Sequence, residues 1–109
     1  MFRIVDNPEF THSVEVQVPV DGGWKAETLK ARFRILPEAE TDTGDLGAAE
    51  ASKEYLRRVL VRLEDLVDEA GKALDYNDEL RERVLALPHV RLALVRAYVR
   101  AQTRVVEGN

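Results

Sequence analysis

The chain has 109 residues, 45% of them apolar and 33% charged, with a net charge of −4, so it is expected to form one soluble domain with its own core. It is too apolar for a disordered chain and too charged for a membrane protein. Without cysteine it has no disulfide and no thiolate metal site, and without an apolar run near the roughly 20 residues that span a bilayer, or a leader after Met1-Phe2-Arg3, a cytoplasmic protein is expected.

Charge is unevenly spread. Residues 1–36 balance, residues 37–50 carry five acids and no base, and residues 80–109 carry six arginines and two glutamates. An acidic middle and a basic end suit head-to-tail association. The plainer expectation is that these charges meet within one fold or face water.

Phe2, Ile4, Val5 and Phe10 around Asn7-Pro8 suggest a short edge strand and a turn. Val14, Val16 and Val18 then alternate with Ser13, Glu15 and Gln17, the period of a half-buried strand that Pro19 ends or marks as an edge. Asp21-Gly22-Gly23 is turn chemistry. Trp24–Leu36 reads as a second strand, with Leu29, Ala31, Phe33 and Ile35 on one face and Thr28, Lys30, Arg32 and Arg34 on the other. Together they predict a β-hairpin whose apolar face needs cover. Trp24 is either an anchor for a partner or, as is more usual, a cap on its own core edge.

Residues 37–47 read as an exposed acidic connector, with a helical turn after Pro37 possible. A helix is expected from about Ala48, capped near Asp45. Tyr55, Val59, Leu63 and Leu66 recur at helical spacing, and Leu56, Leu60 and Val67 widen the stripe. This helix is expected to run through Glu64, Asp65, Asp68 and Glu69 and to close at Gly71. Those acids sit badly beside a helix C-terminus, and their spacing is not that of an EF-hand. Asn77 is an N-cap for a short helix lined by Leu80, Val84 and Leu87. Pro88 opens a long helix with Val90, Leu94, Ala97, Tyr98 and Ala101 on one stripe, Leu92, Val95 and Val99 on a second, and Arg96, Arg100 and Arg104 in a row. The helices thus offer more apolar surface than one subunit of this size is expected to hide.

The expected fold is α+β over residues 1–109: an N-terminal β-hairpin or small antiparallel sheet at 1–36, the connector at 37–47, and about three α-helices in 48–109. No nucleophile, acid–base or cofactor constellation has recognisable spacing, His12 and His89 stand alone, and the chain is expected to be neither an enzyme nor a holder of cofactors or metals. A helix-turn-helix reading is weakened by the turn-poor Leu87-Pro88 break and the lack of a basic footprint, so nucleic acid is not an expected partner. Trp24, Tyr55, Val59 and Tyr98 are expected to carry core or self-association contacts, and Arg96, Arg100 and Arg104 to face an acidic neighbour.

Leu63-Glu64-Asp65-Leu66-Val67-Asp68-Glu69 with Gly71, Tyr76-Asn77, Pro88-His89-Val90-Arg91 and Ala93-Leu94-Val95-Arg96-Ala97-Tyr98 resemble the tail assembly chaperones of long-tailed bacteriophages. Pro19-Val20-Asp21-Gly22 and the Arg-Phe-Arg centre of Thr28–Leu36 extend the resemblance over most of the chain. It implies a morphogenesis factor of the host cytoplasm that coats the tape-measure protein, helps recruit tail-tube subunits, self-associates in spiral or ring-like arrays and is absent from the virion. A structural head–tail connector is the alternative. The family often makes a longer product by ribosomal slippage, and Glu107-Gly108-Asn109 is compatible with a slippery codon sequence.

Overall fold

The computed structural model describes residues 1–36 and 48–106, with side chains as far as residue 101. Strands β1 (Glu9–Val20) and β2 (Gly23–Arg34) are followed by helix α1 (Ala49–Val59), strand β3 (Leu60–Glu64), and helices α2 (Asp78–Leu85) and α3 (Pro88–Val106). The fold is α+β, as expected, with one antiparallel sheet in the order β1-β2-β3.

The hairpin forms for the reasons its sequence gives. Val20 pairs with Gly23 across the two-residue loop Asp21-Gly22, where Gly22 takes a φ of 81°. The register sets Val14 against Leu29, His12 against Ala31 and Phe10 against Phe33 on the face that the helices cover. The other face is polar, with Arg32 donating to Glu9 and to the Thr11 hydroxyl, each at 3.0 Å. Residues 1–8 add no strand. Met1, Phe2, Ile4 and Val5 are exposed, and Asn7 turns the chain at a φ of 53°.

α1 buries Ser52, Tyr55, Leu56 and Val59, one helical stripe. Its N-cap position is Ala48, with no side-chain cap, and Asp45 lies outside the described residues, as does the 37–47 connector. The expected helix through Gly71 is corrected. Backbone at Leu60 turns extended, and residues 60–64 pair with Lys30–Phe33 as the third strand. A bulge in this pairing puts Leu60 opposite Phe33 and Leu63 opposite Ala31, so both point into the core although three residues apart. That spacing imitates a helix.

Of the acids that sit awkwardly at a helix end, Glu64 closes β3, and Asp65, Asp68 and Glu69 lie in the turn after it. Asp68 Oδ1 accepts from the Ala70 and Lys72 N–H groups at 2.9 Å each, Val67 bridges Ala73, and Gly71 has a φ of 84°. α2 begins as expected, with Asn77 Oδ1 accepting from the Leu80 N–H at 2.7 Å. It buries Leu80, Val84 and Leu85, while Leu87, expected on that face, is exposed. Pro88 starts α3, which packs along β1 and buries Val90, Leu94, Val95 and Tyr98. Leu92 and Val99 stay partly in water.

Most of the apolar surface expected to be left over is therefore used inside one subunit, because β3 spends Leu60 and Leu63 on the core. Among the described residues, no helix is long and apolar enough to cross a membrane.

Candidate protein-binding surface

Tyr55, Val59 and Tyr98, expected to make core or self-association contacts, are core residues, each at most 3% exposed, so they are not exposed to a partner. Tyr98 is the hub. Its ring lies 5.1 Å from Phe33, 5.6 Å from Tyr55 and 6.4 Å from Phe10, and its hydroxyl donates to the Arg34 carbonyl at 3.0 Å. Burial pushes the Tyr55 phenol up to about 12 and raises Tyr98 as well.

Trp24 is not a cap on its core edge. It is 68% exposed, near the hairpin end, opposite Pro19. With Arg96 and Arg100 it lines a groove of about 810 Å³ between β1 and α3. Arg104 lies on α3, but its side chain is outside the described residues. His12 and His89, far apart in sequence, both line this groove, which neither position signalled. Among the described residues no group of metal-ligating side chains gathers there or elsewhere.

A second groove, of about 840 Å³, lies under the hairpin's inner face and shares His89 with the first. Val16, Val18 and Leu29 line it from the sheet, Leu66, Val67 and Leu74 from the 65–74 turn, Leu80, Val84 and Val90 from the helices, and Leu87 from the link between α2 and α3. Val67 and Leu87 are 58% and 46% exposed. Glu27, Asp65, Arg83 and His89 also line it, so mixed charge accompanies an aliphatic floor. The sequence reading missed this groove because it placed Leu66 and Val67 on a helix.

Comparison of the chain with protein-family models, with curated proteins and with solved structures gave no match.

Proposed function

We propose that this is a protein-binding domain, with a binding rather than a catalytic role. More particularly, we read it as a tail assembly chaperone of a long-tailed bacteriophage, acting in the host cytoplasm on the tape-measure protein and the tail-tube protein and absent from the finished virion. The observation that carries this is the aliphatic groove under the hairpin. It has the character of a surface for the apolar stripe of an amphipathic helix, with anchors spaced along one helical face and charged groups among the lining. A long tape-measure helix presents such stripes repeatedly, so many copies would line up along one client. Contacts between neighbouring copies that do not close would then give a spiral. The sequence resemblance supports the same reading.

The test is co-expression with a long coiled-coil-like tape-measure protein, sought among the genes that neighbour its own. The client is expected to stay soluble in complex with this chain. Leu87→Glu, at an exposed groove position, is expected to release it while leaving the fold intact. A client equally soluble with and without the chain overturns the reading. So does the chain's presence in mature particles by mass spectrometry, which would point to a structural connector.

A further inference from the structure

We propose that the outer edge of β1, unpaired among the described residues, is a docking site for an extended acidic segment of a partner protein, which joins the sheet as an added strand and sets its carboxylates against Arg96 and Arg100.

β1 is an outer strand of the sheet, twelve residues long. A two-residue loop makes Val20 and Gly23 a hydrogen-bonded pair, and such pairs alternate along an antiparallel ladder. The Ile35 N–H donating to the Pro8 carbonyl at 2.9 Å fixes the same parity at the other end. Even-numbered residues of β1 therefore bond to β2, and odd-numbered ones turn their N–H and C=O groups outwards. Among the described residues, no backbone hydrogen bond from another element reaches Thr11, Ser13, Glu15 or Gln17. The other outer strand, β3, has five residues and a bulge, and is a poor template for addition.

α3 walls this edge on one side and runs antiparallel to β1. Tyr98 stacks on Phe10 near the start of the strand, and His89 lines a groove with Val16 and Val18 further along. Residues four apart on a helix rise about 6 Å, and alternate residues of a strand advance about 6.6 Å. Two carboxylates on the same side of an added strand thus match the spacing of Arg96 and Arg100. Both arginines are exposed, and neither makes an ion pair among the described residues. The acid in the groove, Glu15, belongs to the outer face of the sheet and accepts from the Gln17 side-chain amide at 2.9 Å. Positive charge therefore faces one side of the added strand only, which selects a segment with carboxylates at alternate positions. The site does not depend on the tail-assembly reading.

The experiment titrates the full chain with a capped peptide of alternating glutamate and threonine, followed by calorimetry and Trp24 fluorescence. Binding is expected, and the double variant R96E/R100E is expected to weaken it about tenfold or more. Methylating the backbone nitrogens of one alternate set of peptide residues is expected to weaken binding by a similar factor, and methylating the other set to leave it unchanged. Glu15→Pro removes an outward N–H that the ladder does not use, so it should block the peptide while the protein still unfolds cooperatively. If that variant fails to fold, the two methylated peptides decide alone. Equal affinity for both methylated forms reduces the effect to charge attraction and overturns the proposal. So does an absence of binding, or a dimer of this chain that Glu15→Pro disperses, since a second copy would then hold the edge.

Discussion

At the scale of single residues, Tyr98 ties the sheet to the helices in two ways that substitution can separate. Its ring touches Phe10, Phe33 and Tyr55, and its hydroxyl donates to the Arg34 carbonyl. Tyr98→Phe keeps the packing and leaves that carbonyl short of one donor, so urea unfolding should show a loss of about 1 kcal/mol. Tyr98→Ala also opens a cavity and should cost about 3–5 kcal/mol. The phenols carry a pH signature. Burial raises all three tyrosines of the chain, Tyr55, Tyr76 and Tyr98, above the usual value of 10, Tyr55 to about 12. The folded state thus holds its phenolic protons more tightly than the unfolded chain does. The resulting stability is intact below pH 10 and is lost as pH rises from there towards 12. Phenolate absorbance is expected to appear together with unfolding; full ionisation of the tyrosines in a still-folded protein would contradict the burial argument.

At the scale of elements, α1 and α2 are clasped by Glu82. Its carboxylate accepts from Arg57 Nη2 at 2.6 Å, from Arg57 Nε and from Arg81 Nε, and these guanidinium hydrogen bonds lower it from 4.5 to about 2. A lowered carboxyl contributes stability that is present above the unfolded value of 4.5 and is lost as pH falls towards 2. With its side chain 42% exposed, Glu82 is screened, and the clasp is worth less than about 1 kcal/mol. Glu82→Gln should flatten the acid limb of the stability curve and change little at neutral pH. An unchanged acid limb would mean that solvent already carries these charges.

The same scale shows what was legible in the sequence. Alternating valines, the Asp21-Gly22 loop, the Asn77 cap and Pro88 each act through contacts a few residues long, and each element they signal is present. β3 escaped because α1 passes into it with no glycine, proline or turn between them, and because its bulge spaces Leu60 and Leu63 like helix neighbours. What makes residues 60–64 a strand is the partner β2, some 30 positions earlier, which no local window contains. The grooves were hidden for the same reason. Trp24 and Arg96 line one groove only because α3 lies along β1, whereas the arginine row itself could be read from helical period.

At the scale of the whole molecule, the hairpin is longer than the core beneath it. The protein measures 48 × 29 × 28 Å with a radius of gyration of 14.8 Å, where a compact chain of this length has about 13 Å. Strands of twelve residues reach about 40 Å. Their buried positions, however, stop at Val16 on β1 and start at Leu29 on β2. The far half of the arm carries Val20 and Trp24 in water, at 47% and 68% exposure. A bare two-stranded arm is marginal by itself, so this half gains more from a partner than from its own subunit. Trp24, the single tryptophan, reports on that gain. In the free protein its fluorescence should be that of a hydrated indole, open to soluble quenchers. When a partner segment docks along the β1–α3 groove that Trp24 lines, the emission should shift to shorter wavelength and become protected. Trp24→Ala should move unfolding stability by no more than about 0.5 kcal/mol, because the side chain supports nothing beneath it, while weakening the complex by more than about 1 kcal/mol. If quenching of Trp24 stays the same when that groove is saturated with a partner segment, the arm projects for another purpose, and the contact lies nearer the helices.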